Sequence, residues 1–217
     1  MDIILRDRDR SPVAARTKGQ EIFVEAVECH DIVFADGPAG TGKTFLAAAL
    51  AVKFLREGRV ERVVLTRPAV EAGEKLGFLP GSIEEKVDPY LRPLFDAIET
   101  FFTFEESARL IHDRRIEVIP LAFMRGRTLR RSFVVLDEAQ NTTVPQMKMF
   151  LTRFGEGSRM VVVGDSSQHD LAPGSNGLVD ALSRFSSFPG VAVVRLSTSD
   201  IVRADIIGRI VEAYEKQ

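Results

Sequence analysis

The fold is decided by one run, "IVFADGPAGTGKTFLAAALAVKFLRE", Ile32 to Glu57. Five residues, Ile32–Asp36, read as a buried strand. A loop follows in which Gly37, Gly42, Lys43 and Thr44 satisfy G-x-x-x-x-G-K-[ST], with Pro38, Ala39, Gly40 and Thr41 between the glycines. Ala- and Leu-rich helical spacing follows at once. Strand, glycine loop and helix N-terminus in this order make a phosphate cradle. The glycines allow backbone angles that turn successive N–H groups inward, and the helix start adds positive potential. Lys43 is placed to reach the β and γ phosphates of a nucleotide, and Thr44 to offer its hydroxyl oxygen to Mg²⁺.

Working outward, short β-branched runs alternate with helical patterns. "RVVLTR" (Arg62–Arg67), "SFVVLDE" (Ser132–Glu138), "RMVVVGD" (Arg159–Asp165) and "VAVVRL" (Val191–Leu196) read as strands, and "IEVIP" (Ile116–Pro120) as an added one. Continuous apolar runs belong to strands buried on both faces, which is the habit of a parallel sheet covered by helices. The expected class is therefore α/β, a doubly wound P-loop NTPase sheet. Between Glu74 and Ile119 the strand rhythm pauses, and a helical elaboration on the second strand is expected there, broken at Pro89 and Pro93. Residues 1–17 read as an N-terminal arm, residues 18–217 as one domain, and about Ser199–Glu215 as a last helix.

Asp137 closes a run of apolar residues, Phe133–Leu136, which delivers a carboxylate to a strand tip. That is where a Mg²⁺ contact is needed. Glu138 follows directly and suits the polarisation of an attacking water. Gln168, beyond the "VVVGD" strand, is a candidate to hydrogen-bond the γ phosphate and that water. His169 beside it reads as an ordinary loop histidine. A water-activating carboxylate favours hydrolysis over a small-molecule kinase, which has no use for Glu138.

With 217 residues, 45% hydrophobic, 28% charged and a formal net charge of −2, the chain is an ordinary globular composition and not a general polyanion binder. Any nucleic-acid contact must be local. "RGRTLRR" places Arg125, Arg127, Arg130 and Arg131 within seven residues, a candidate grip on RNA phosphates, and Arg67 at the second strand's end is another. Aromatic stacking partners are sparse, with no Trp and two Tyr; Phe78, in "KLGFLPG", is the exception. The single cysteine, Cys29, excludes an internal disulfide, and "MDIILRDRDR" is neither a signal nor a transit peptide, so a cytoplasmic location with no membrane span is expected.

Taken together, "GPAGTGKT", "LTRPAVEAGEKLGFLPG", "AFMRGRTL", "VVLDEAQN", "GDSSQHD" and "DIVRADIIGRIVEAYE" resemble the PhoH family of phosphate-starvation-type ATPases, over roughly Thr17 to Tyr214. That family in turn resembles the first motor domain of superfamily 1 helicases. The resemblance implies a RecA-like core with strand order 5-1-4-3-2, ATP and Mg²⁺ as ligands, a link to single-stranded RNA, and ring-shaped homo-oligomers, a hexamer among them. It implies that Gln20, in "TKGQEIFVEAV", reads the adenine edge. It also brings forward Arg203, in "DIVR", as an arginine acting on the γ phosphate from a neighbouring subunit or as a switch, since the 217 residues hold no sign of a second motor domain. A reading from another class remains beside this one: a nucleotide-gated binding module that grips or releases a partner such as a nuclease.

Overall fold

The computed structural model describes residues 3–68, 83–168 and 175–202. Six strands form one fully parallel sheet: β3 (Ile32–Asp36), β4 (Arg62–Arg67), β5 (Ile116–Pro120), β6 (Ser132–Leu136), β7 (Arg159–Gly164) and β8 (Val191–Arg195). Their order across the sheet is β5-β4-β6-β7-β3-β8. Numbering the five main strands 1 to 5 along the chain turns this into 5-1-4-3-2, with β5 added outside strand 2. The RecA-like topology is thus present, and the extra strand lengthens one edge.

Buried strands still alternate. Val33, Val63, Leu65, Phe133, Val135, Val161 and Val163 face a layer that includes α1 (Lys18–Cys29), α2 (Lys43–Arg56) and α3 (Ile83–Glu99). Phe34, Val64, Val134, Leu136, Met160 and Val162 face α5 (Val144–Leu151) and α6 (Gly177–Phe185). Both faces are covered, so the period-2 signal is hidden in the sequence by uniform hydrophobicity. Phe133 is fully buried and meets the Phe54 ring edge-on, 5.1 Å between centroids. Phe133→Ala should cost about 3–5 kcal/mol, because the site cannot collapse around the lost ring. Urea denaturation with an unchanged m-value checks this.

Three local readings change. First, residues 3–14 are no frayed arm. They form an antiparallel hairpin of β1 (Ile3–Arg6) and β2 (Pro12–Ala14), whose Ile4 and Val13 are buried in the core against α2. Second, α3 runs unbroken through Pro89 and Pro93. Both prolines are exposed, so water can take up the hydrogen bonds they forfeit, while Leu91, Leu94 and Ile98 bury the opposite stripe. Burial outweighs the local break. After α3, α4 (Phe104–His112) starts on a Thr103–Glu106 capping box and leads to β5. Third, the first residues of the last helix expected at about Ser199–Glu215 are a 3-10 turn, Thr198–Asp200, with Ile201 extended, while residues 203–215 lie outside the described residues. Among the described residues, no helix is long and apolar enough to cross a membrane.

Candidate functional site

Because all six strands are parallel, their carboxyl ends share one edge. Asp36 lies level with Gly164, and Thr66 with Leu136. The next residues along, Gly37, Arg67, Asp137 and Asp165, therefore emerge together. They adjoin a cleft of about 410 Å³ lined by Gly40, Gly42, Lys43, Thr44, Asp137, Glu138, Asp165 and Gln168.

The loop between β3 and α2 is pre-shaped. Gly42 is the N-cap of α2 and adopts φ 78°, ψ 15°, a left-handed conformation that glycine takes without strain. The first turn of a 14-residue helix therefore opens onto the cleft. Lys43 is buried, and its ammonium donates to Gly37 O (2.5 Å), Pro38 O (2.9 Å) and Thr41 Oγ1 (3.3 Å). Burial pulls its pKa down; the carboxylates of Asp165, Glu138, Asp137 and Asp36 oppose that.

Thr44 Oγ1 donates to Asp137 Oδ1 at 2.6 Å, joining two residues 93 positions apart. Asp137 is 4% exposed. Burial pushes its carboxyl pKa up, the Thr44 hydrogen bond pulls it down, and the neighbouring Glu138 charge raises it again. The Arg67 guanidinium, which faces the Glu138 carboxylate, also pulls it down. The donor set around Asp137 is hard oxygen, a hydroxyl and carboxylates, which fits Mg²⁺.

Glu138 sits at φ 50°, ψ 44°, left-handed without being glycine. Such a backbone is strained by roughly 1–2 kcal/mol and re-aims the side chain from its strand. Its carboxylate is held twice, by Arg67 (Nη2 to Oε1, 3.2 Å) and by Gln140 (Nε2 to Oε2, 2.5 Å). Gln140 also donates to Gln168 Oε1 (3.2 Å) and accepts from the Asp165 N–H (3.2 Å). One buried amide thus joins the tips of β6 and β7. Sequence reasoning passes over Gln140, although it lies inside the quoted "VVLDEAQN"; an amide two residues beyond Glu138 is the available signal.

The other expected residues fall as follows. Gln20 is buried and adjoins the phosphate loop. Its amide donates to Thr41 O (2.9 Å) and accepts from the Arg16 N–H (2.7 Å). A second hollow, about 350 Å³, opens beside it between the hairpin, Arg16, Gly42 and Phe45. Arg67 stands inside the cleft's network and also donates to Tyr90 O (3.3 Å). The arginine-rich segment does not converge. Arg127 grips both oxygens of Glu117 at 2.9 Å on β5, and Arg131 pairs with Glu61 at 2.9 Å, at the amino ends of the strands, away from the cleft. Arg125 and Arg130 are exposed. Arg203, Phe78 and His169 lie outside the described residues.

Fold and loop together define the class, a RecA-like P-loop NTPase core. The chain belongs to the PhoH family: the family model "PhoH-like protein" matches residues 12–215. It is 49% identical over 215 residues to a PhoH-like protein of Bacillus subtilis (strain 168), covering 99% of this chain and 67% of that one. Identity is 51% with a PhoH-like protein of Synechocystis (99% and 66%) and 44% over 210 residues with Protein PhoH of Escherichia coli K12 (95% and 59%). The chain thus spans 59–67% of the length of these curated relatives. In structure it is similar to the Sulfolobus solfataricus SWI2/SNF2 ATPase core in complex with dsDNA, with a TM-score of 0.51 at 16% identity over 85% of this chain and 45% of that one. It is also similar to the large terminase of a thermophilic bacteriophage (TM-score 0.50, 10% identity, 89% and 49%). At those identities the likeness speaks for the fold alone.

Proposed function

We propose that this chain binds ATP and hydrolyses its γ phosphate with water, and that the cycle serves an RNA-linked task in an oligomer. One observation carries the reading. Thr44 and Asp137 meet at 2.6 Å in a cleft that also holds Lys43, with Glu138 one residue further on. A cation site, a phosphate cradle and a carboxylate base in one hollow are the parts hydrolysis requires.

In this reading the loop amides and Lys43 take the β and γ phosphates. Lys43 exchanges its hydrogen bonds to Gly37 and Pro38 for phosphate oxygens. Thr44 and Asp137 are the residues that would hold Mg²⁺, which when bound neutralises phosphate charge that would otherwise face Asp36, Asp137, Glu138 and Asp165. Glu138 takes the proton of the attacking water. Gln168, linked to it through Gln140, orients that water or the γ phosphate. Gln20 and the hollow beside the hairpin suit the nucleobase, the amide having a second N–H and a second lone pair to give. Arg203 would supply transition-state charge.

A second reading is favoured by two specific contacts. Arg67 and Gln140 already hold the Glu138 carboxylate, so the base is engaged and turnover waits on its release. A slow, nucleotide-gated binding module fits that state. The two readings part on stimulation. An ATPase assay with and without single-stranded RNA, run beside a mass measurement in solution, should show faster turnover with RNA and a mass of several subunits. Turnover that ignores RNA but responds to a protein partner selects the gated module. No ATP hydrolysis under any condition removes both.

A further inference from the structure

Asp200 lies outside the cleft, yet it is 7% exposed and engaged on both sides. Its Oδ1 accepts from Thr17 Oγ1 (2.7 Å) and the Gly19 N–H (3.1 Å), at the start of α1. Its Oδ2 accepts from the Ser197 N–H (2.9 Å) and Ser197 Oγ (3.3 Å), just after β8. One carboxylate thus joins two segments far apart in the chain, Thr17 being 183 positions from Asp200.

Each of those segments ends on the phosphate loop. From the α1 side, Gln20 Nε2 donates to Thr41 O at 2.9 Å. From the β8 side, the Val202 N–H donates to Gly40 O at 3.0 Å. The two acceptors are adjacent carbonyls. In a planar trans peptide the C=O and the following N–H point opposite ways. Anchoring the Gly40 and Thr41 carbonyls from the flanks therefore fixes the direction of the Thr41 and Gly42 N–H groups. Those are donors that a phosphate cradle must aim before its ligand arrives.

We infer that Asp200 is a positioning residue for nucleotide binding: it clamps the α1 start to the segment that follows β8, and through them sets the phosphate loop's amides. This rests on the ATP-binding reading above. Two further facts support the clamp. The hydrogen bonds from Ser197, Thr17 and Gly19 hold the Asp200 carboxyl below the ordinary carboxylate range, so it is ionised at neutral pH. And a Cβ at Gly19 would sit 2.5 Å from Asp200 Oδ2, so a larger residue there must displace the carboxylate.

The test uses the full chain with Mg²⁺ and a fluorescent N-methylanthraniloyl ATP as probe, alongside steady-state ATPase kinetics. Asp200→Ala removes both halves of the clamp. Gly19→Ala displaces the carboxylate without touching its charge. Asp200→Asn keeps one acceptor for Thr17 and Gly19 but turns an N–H₂ toward Ser197. Losing hydrogen bonds to a charged acceptor should weaken probe binding about tenfold or more in Asp200→Ala and Gly19→Ala. Asp200→Asn should fall between these and wild type. KM should rise in step, while kcat at saturating ATP stays within roughly threefold, the signature of lost ground-state organisation. Unchanged probe affinity in any two of these variants, with wild-type circular dichroism, overturns the inference and leaves the nucleotide reading intact. So does a drop in activity that merely tracks the folded fraction. Failure of the wild-type chain itself to bind the probe brings down the ATP reading and the clamp's role with it.

Discussion

Lys43→Ala is expected to abolish nucleotide binding, and with it turnover, by roughly 10²–10³-fold or more. The argument is electrostatic. The carboxylates of Asp36, Asp137, Glu138 and Asp165 surround one buried ammonium. A triphosphate entering the cleft brings further negative charge. Without Lys43, repulsion from the four acids is opposed by loop amides, the helix start, the Arg67 guanidinium beside Glu138 and whatever cation Thr44 and Asp137 hold. Lys43 also fixes the loop through Gly37 O and Pro38 O, so its removal loosens the cradle as well as discharging it. Calorimetric titration with Mg-ATP should show binding by the wild-type chain and none by the variant, with circular dichroism confirming that both are folded. Wild-type turnover in a folded Lys43→Ala protein would end the case for this cleft.

Much of this is legible in the sequence, for reasons that differ residue by residue. The β-strand runs and the Thr44–Asp137 pairing follow from a loop that has one common geometry and an acid delivered to a strand tip by four apolar residues. Such features depend on local chemistry. The unbroken course of α3 through Pro89 and Pro93 is hidden, because it is decided by the burial of Leu91, Leu94 and Ile98 against elements far along the chain. The hairpin at residues 3–14 is hidden for a similar reason: its charges dominate the composition, and its attachment rests on a few apolar side chains, Ile4, Leu5 and Val13, with hydrogen bonds to distant residues. In the sequence Asp200 reads as one residue of a helix, and its partners at Thr17, Gly19 and Ser197 become visible only when distant segments meet. The arginine-rich segment is likewise shaped by partners distant in the chain. Four guanidinium groups close in sequence suggest one positive field, but Arg127 and Arg131 pair with Glu117 and Glu61, while Arg125 and Arg130 are exposed.

Glu138→Gln should separate binding from chemistry. The substitution is isosteric. It keeps an oxygen and adds an amide, so the side chain retains its place near Gln140 while losing the charge that pairs with Arg67. Nothing in the Lys43 cradle or the Thr44–Asp137 pair is touched, and one negative charge leaves the cleft. ATP affinity should therefore hold or improve. Hydrolysis should fall about 10²–10⁴-fold, the usual worth of a positioned general base. The left-handed backbone at Glu138 bears on the choice between this residue and Asp137 as base. Asp137 is buried and aimed at Thr44, whereas Glu138 is turned from its strand toward the cleft, where a water can reach it. A nucleotide-trapping assay decides it. The variant should retain intact ATP after gel filtration, where wild type retains ADP or nothing. Phosphate release at the wild-type rate would remove Glu138 as the base. Loss of ATP binding in a folded variant would instead make Glu138 part of the cation site, alongside Asp137.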